Sequence, residues 1–278
     1  MGEVMAFERL SGESLEYFPC RYGGSKLLFR GPRQDTNGAF VAVLGGSETH
    51  GKFVAAPFTD ILAKDTGHSI VNLGFMNAGV DLFGTDQAVI DLCRKAQSVV
   101  LQVMGAQNLS NGYYTVHPRR NDRFLKASGR LRRLYPEIDF VRFHFTRHLL
   151  TSLRDCCPER FEHVREELKR TWVSRMQILL RRIAGDVTLL WISDRSPDER
   201  PADEIGSDPV MIERQMLDQL AGKVSTLVEV VASDKACVRN LEGKICSDLE
   251  APIAAEMPGP ALHREVAEAL ARALPVLA

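Results

Sequence analysis

The chain has 278 residues, a formal net charge of -1, 45% hydrophobic and 26% charged residues, which excludes a disordered or fibrous polypeptide and predicts a packed globular core. So balanced a charge leaves no global positive field to gather nucleic acid or an anionic membrane surface. No segment reaches the roughly 18 apolar residues of a spanning helix, and the N-terminus MGEVMAFERLSGESLEYF lacks a basic start followed by an apolar run. The expectation is a cytoplasmic protein with neither membrane nor nucleic acid as a partner. Cys20, Cys93, Cys156, Cys157, Cys237 and Cys246 form no C-x-x-C pair, so they read as reduced thiols, with no metal and no cofactor expected.

Residues 1–38 mix aromatic residues and glycines without sustained periodicity and read as an N-terminal arm, with a short strand at Lys26–Phe29. Residues 39–278 read as one α/β domain. The apolar run FVAVLG at 40–45 suits a strand buried on both faces. KFVAAPFTDILAKDTG follows as a helix interrupted by Pro57 and closed by Gly67, and SIVNLG is the second strand. Ala88, Leu92 and Ala96 mark the next helix and SVVLQVMG the third strand. A helical excursion at about 109–157 then intervenes, with the loop QNLSNGYYTVHPRRND, a helix from Arg123 to Tyr135 and a further stretch around DFVRFHFTRHLLTSL. The longest helix runs from Pro158 to Ile183, with Gly185 placed to end it. VTLLWIS is the fourth strand, DRSPDERPADEIGSDP an acidic loop, VMIERQMLDQLAGK a helix and STLVEVV the fifth strand, before a closing helix from Ala261 to Leu277.

Five strands joined by helical crossovers predict a three-layer α/β/α fold with a mostly parallel sheet, in the flavodoxin-like order 2-1-3-4-5. Ligands in such sheets collect beyond the carboxyl ends of the strands where the order reverses, between strands one and three. The loops meeting there are GGSETHG, with Ser47, and AQNLSN, with Gln107 and Asn108; NLGFMNAGVD after the second strand adds Asn77 and Gly79.

These three blocks, in this order and after these strands, resemble the SGNH or GDSL hydrolases over roughly residues 39–278. The nucleophile turn of that superfamily falls on Gly45-Gly46-Ser47, its glycine N–H donor near Gly79, with Asn77 under another register, and its Gly-x-Asn-Asp block on Gly105-Ala106-Gln107-Asn108. Gly46 stands where an aspartate is usual, and Ala254 and Met257 align with the terminal aspartate and histidine. The whole chain also resembles members of a bacterial family of unknown function. The first resemblance implies a divergent serine hydrolase or acyltransferase acting on an ester or an acylated, sugar-like substrate. Ser47 would attack, and Gly79 with Gln107 or Asn108 would hold the oxyanion. The alternative is a catalytically inactive protein of the same fold that binds a small anionic or sugar-like ligand or a protein partner. A third expectation is a homo-oligomer with the arm and the excursion as contact surfaces.

Each candidate has a second reading. Ser47 is also a residue suited to cap a helix beginning near Gly51, and Gln107 and Asn108 are suited to tie down an irregular loop. For the base, His263 lies closest to the terminal block but inside the closing helix; His50 follows Ser47 by three residues, and His117 sits in the excursion. Tyr114, His117, Arg119 and Arg120 could hold a ligand through aromatic faces and forked guanidinium contacts, or form a solvated run with Arg123. His144 and His148, four apart without an H-E-x-x-H pattern, read as a partly buried aromatic face.

Overall fold

The computed structural model of the protein describes residues 15–238 and 241–277. The chain begins its regular structure with β1 (Phe40–Gly45), α1 (Ser47–His50), α2 (Phe58–Thr66), β2 (Ser69–Gly74), α3 (Val80–Gly84), α4 (Gln87–Lys95) and β3 (Ser98–Gln102). It continues through β4 (Tyr114–His117), β5 (Arg120–Ala127), α5 (Gly129–Leu134), α6 (Thr146–Cys156) and α7 (Pro158–Ile183). It ends with β6 (Val187–Ser193), α8 (Arg214–Asp218), β7 (Thr226–Val231), α9 (Ala251–Glu256) and α10 (Pro260–Ala273).

One sheet has the order β2-β1-β3-β6-β7, and every neighbouring pair in it is parallel. The expected order is therefore observed, with β6 and β7 as the fourth and fifth strands. Successive side chains on a strand leave opposite faces, so a sheet covered on both sides needs continuous apolar strands. Phe40, Ala42 and Leu44 of β1 enter the core that also holds Val80 and Phe83 of α3, Val89 and Ile90 of α4, and Leu168 and Met176 of α7. Val41 and Val43 enter the opposite core with Phe58 and Leu62 of α2 and Val266 and Leu270 of α10. Among the described residues no helix is long and apolar enough to cross a membrane.

The long helix α7 has the expected span. Pro158 sits in its first turn, where a backbone N–H has no helical partner. Its end differs from expectation: Ala184, at φ 53°, takes the left-handed cap and donates its N–H to Leu180 O, one residue ahead of Gly185. Trp172 on the buried face donates Nε1–H to Met104 O at 2.7 Å, which fixes α7 to the chain just beyond β3.

The excursion departs furthest from expectation. Residues Arg123–Ala127 are not helical; they belong to β5, which pairs antiparallel with β4 in a separate two-stranded sheet, and helix begins only at Gly129, capped by Ser128. Register shifts in the β4–β5 pair bury Asn121, Phe124 and Ala127, three residues apart, so this bulged strand carries a helix-like burial pattern. The helix expected over 210–223 shrinks to α8 and a 3-10 turn at Ala221–Lys223, because Val210, Met211 and Ile212 are buried as irregular chain. The closing helix stops at Ala273, and a 3-10 turn at Pro275–Leu277 follows, since a proline ring and its missing N–H break the helical ladder.

The first 14 residues of the expected arm lie outside the described residues. In the rest, the short strand is reduced to an antiparallel bridge between Cys20 and Phe29. Arg30 is buried and donates to four backbone carbonyls: His50 O at 3.2 Å, Gly51 O at 2.5 Å, Val54 O at 2.9 Å and Ala55 O at 2.8 Å. One guanidinium thus shapes the chain that leaves α1. Replacing it with alanine strands these carbonyls, so Arg30→Ala is expected to lower the urea unfolding free energy by about 2–4 kcal/mol. A variant unfolding at the wild-type midpoint would contradict that role.

Candidate active site

The turn after β1 is built on close approach. Gly45 and Gly46 carry the chain into α1, and Gly51, at φ 69°, ends it in the left-handed conformation. A Cβ on Gly45 would collide with Thr49 Oγ1 and Gln102 Oε1, so this position excludes any larger residue without rearrangement. Gln102 closes β3 and lies against the turn. Its Oε1 accepts from Gly46 N at 2.9 Å and Thr49 Oγ1 at 2.6 Å, and its Nε2 donates to Glu48 Oε2 at 2.7 Å. Ser47 is not a helix cap, in contrast to its second reading. The cap position is Gly46, no side chain caps α1, and Ser47 Oγ instead accepts from Asn77 N at 3.1 Å.

The loop after β2 is fastened to the loop after β3. Asn77 has φ 54°, and its carbonyl accepts from Asn108 Nδ2 at 3.0 Å. Asn108 Oδ1 accepts from Thr146 Oγ1 at 2.9 Å, which brings in the start of α6. The Gly79 N–H, expected as an oxyanion donor, donates instead to Asn121 Oδ1 at 2.9 Å. Gln107 is buried and lines the site; its Oε1 is buried without a hydrogen-bond partner, while its backbone carbonyl accepts from Tyr114 Oη at 2.7 Å.

Together these loops wall a cleft of about 350 Å³ at the carboxyl ends of β1 and β3, lined by Gly46, Ser47, Glu48, Asn77, Gln107 and Asn108 with Asp122, Thr146, Arg147 and Asp208. Arg147 is spent on its surroundings. Nη2 donates to both oxygens of Asp208 at 2.6 Å, and Nη1 donates to Ile205 O at 2.6 Å and Gly206 O at 3.2 Å. Burial and the nearby Asp208 push the Glu48 carboxyl above its usual range, against the opposing pull of the Gln102 hydrogen bond and Arg147. A second cavity of about 410 Å³ shares Glu48, Arg147, Ile192 and Asp208 with the cleft and is lined also by Met257.

Ser47, Asn77, Gln107, Asn108 and Gly46 are thus brought together, and the other expected site residues are not. His263 is buried against α2, stacked on Phe58, with Nδ1 accepting from Phe58 N at 3.1 Å; burial pushes its pKa down to about 3. It belongs to the core on the α2–α10 face, because its place inside α10 directs it there rather than to the strand ends. His50 turns beneath the rim, its Nδ1 3.3 Å from Gly74 O and its ring 5.3 Å from that of Tyr17, and burial pushes it down to about 4. His117 closes the β4–β5 hairpin, where Nδ1 accepts from the N–H groups of Arg119 and Arg120 at 3.2 Å each. None of these three histidines lines the cleft, and neither do Arg119, Arg120 or the fully buried Tyr114. Arg123 supports the wall from behind, its guanidinium 4.0 Å from the ring centroid of Phe145.

Sequence reasoning missed Glu48, Gln102, Asp122, Thr146, Arg147 and Asp208. Glu48 lies inside the GGSETHG turn, and Arg147 between His144 and His148 in FHFTRHLL. Gln102, the polar residue inside the apolar run VVLQVMG, was the one local signal available, since a glutamine within a buried strand needs partners.

Among solved structures, the chain is similar to the lipase Lip_vut3 from a goat rumen metagenome, at 13% identity and TM-score 0.46, covering 85% of this chain and 98% of that one. It is similar to LAE5, an alpha/beta hydrolase enzyme from the metagenome of Lake Arreo, Spain, at 16% identity and TM-score 0.44, covering 87% and 97% of the two chains. A member of the lipolytic protein G-D-S-L family from Veillonella parvula DSM 2008 matches at 10% identity and TM-score 0.41, covering 85% and 98%. No curated protein matches the sequence. The model of the family described as Domain of unknown function (DUF6473) matches residues 5–278, and the chain belongs to that family.

Proposed function

We propose that the cleft performs serine-dependent acyl transfer, hydrolysing an ester or passing its acyl group to an acceptor, with a small sugar-like substrate. The observation that carries this reading is the position of Ser47: its hydroxyl lies at the mouth of β1, accepts the Asn77 N–H and lines the polar cleft. Since the Asn77 N–H occupies a lone pair of the oxygen, the hydroxyl proton is left to be given up as the oxygen attacks an acyl carbon.

Asn108 is the oxyanion donor best placed by its own bonds. One hydrogen of its amide is committed to Asn77 O and its oxygen to Thr146, which locks the side chain in orientation and leaves the second N–H for a ligand. Gln107 supplies the other amide.

Charge narrows the substrate further. Glu48, Asp122 and Asp208 line the cleft against Arg147 alone, whose charge is already paired with Asp208. A neutral, hydroxyl-rich ester suits such a surface better than an anionic one. A second reading, a protein that binds such a ligand without turning it over, is favoured by the lack of a histidine among the cleft-lining residues.

An activated fluorophosphonate is expected to add its phosphonyl mass to Ser47, with ester turnover abolished in Ser47→Ala. Folded wild-type protein that takes no label moves the assignment to the binding reading. Asn108→Ala is expected to lower turnover about 10²–10³-fold with less effect on KM; an unchanged kcat would remove Asn108 from the oxyanion site. Across a panel of esters of equal size, neutral acylated sugars are expected to have a higher kcat/KM than carboxylated or phosphorylated ones, and the reverse order would contradict the charge argument.

A further inference from the structure

Attack by a serine at neutral pH needs a group to take its proton, and the histidines expected for the task are committed elsewhere. We infer that Glu48 is the general base for Ser47, a role that rests on the serine-dependent reading of the cleft. Consecutive side chains leave the one-turn helix α1 about 100° apart, and Ser47 and Glu48 meet in that both line the cleft.

Glu48 differs from the other acids of the cleft in how it is held. Both oxygens of Asp208 accept from Arg147, and Asp122 takes a hydrogen bond from Asn77 Nδ2 at 3.5 Å at the exposed rim. Glu48 receives only neutral donors, the Gln102 amide on Oε2 at 2.7 Å and its own backbone N–H. A carboxylate offers about four lone-pair sites, so two neutral donors leave it the capacity to accept a proton. The charged groups lining the same cleft are Asp208, Asp122 and Arg147. Burial and Asp208 hold its proton affinity above the ordinary carboxylate range, the direction in which a carboxylate becomes a more effective base near neutrality. Met257, in the wall of the adjoining cavity that Glu48 also lines, has a thioether and no group able to shuttle a proton.

In the step assigned to it, Glu48 carboxylate takes the proton of Ser47 Oγ as that oxygen forms a bond to the acyl carbon. The carbonyl π pair moves to the carbonyl oxygen. Collapse of the tetrahedral intermediate breaks the bond to the leaving alkoxide, which receives the proton from Glu48. Water, or an acceptor alcohol, then attacks the acyl-Ser47 ester, gives its proton to Glu48 and regenerates Ser47 when that proton returns.

The test is the rate of fluorophosphonate labelling at Ser47 as a function of pH, which needs no knowledge of the natural substrate. For the wild type the rate is expected to fall as pH drops through the Glu48 titration, at a midpoint above the roughly 4.3 of an unperturbed glutamate. Glu48→Gln is expected to label about 10²–10⁴-fold more slowly and to lose this limb, and Glu48→Asp to keep the limb and recover part of the rate. Labelling of Glu48→Gln at the wild-type rate, or a wild-type profile flat across that range, overturns the assignment to Glu48 while leaving the serine reading intact. Wild-type protein that forms no Ser47 adduct overturns both.

Discussion

A single side-chain amide holds the site in shape. Gln102, buried at the end of β3, reaches across to the neighbouring strand and makes three hydrogen bonds to the turn after β1, to Gly46, Thr49 and Glu48. An unpaired amide at this depth would be costly, so the bonds are obligatory in both directions: the turn needs Gln102, and Gln102 needs the turn. The presentation of Ser47 to the cleft, and of Glu48 beside it, follows from this exchange. Gly45 is part of the same constraint, because a side chain there would enter the space of the amide.

Around this fixed turn the remaining walls are hung by polar side chains acting on backbone. Asn108 joins the loops after β2 and β3 and reaches α6 through Thr146, while Asn121 of β5 takes the Gly79 N–H. The parallel sheet brings the strand ends together, and the amides set the fine geometry. This explains why the cleft contains many side-chain amides that are partly or fully committed. Asn108, with one amide hydrogen given to Asn77 O, is among the residues that line the cleft.

Much of the fold was legible because β1, β2, β3 and β6 are nearly continuous buried runs, which stand out between helical crossovers, while the edge strand β7 alternates buried and exposed residues. The long helix was equally plain: Phe161, Val164, Leu168, Trp172 and Met176 recur at helical spacing and are buried. The β4–β5 hairpin was hidden by bulges that space its buried residues like a helix, and the run Val210–Ile212 mimicked the apolar edge of a helix while packing as irregular chain. In the site, Ser47, Asn77, Gln107 and Asn108 could be found from their places after strands. Arg147 and Asp208 could not, since they come from segments whose approach depends on tertiary packing. The histidines misled for a related reason: a ring inside α10 follows that helix into the core, whatever its distance in sequence from an expected motif.

In the proposed reaction, Ser47 Oγ and the spare N–H of Asn108 face one reacting carbon. A crystal structure of the protein soaked with a small alkyl boronic acid tests this most directly, since boron adopts the tetrahedral geometry of the acyl-transfer intermediate when a nucleophilic oxygen adds to it. The expected result is a covalent bond from Ser47 Oγ to boron, with one boronate oxygen within hydrogen-bonding distance of Asn108 Nδ2. An unmodified Ser47, or a boronate oxygen directed away from Asn108 toward solvent, would contradict it.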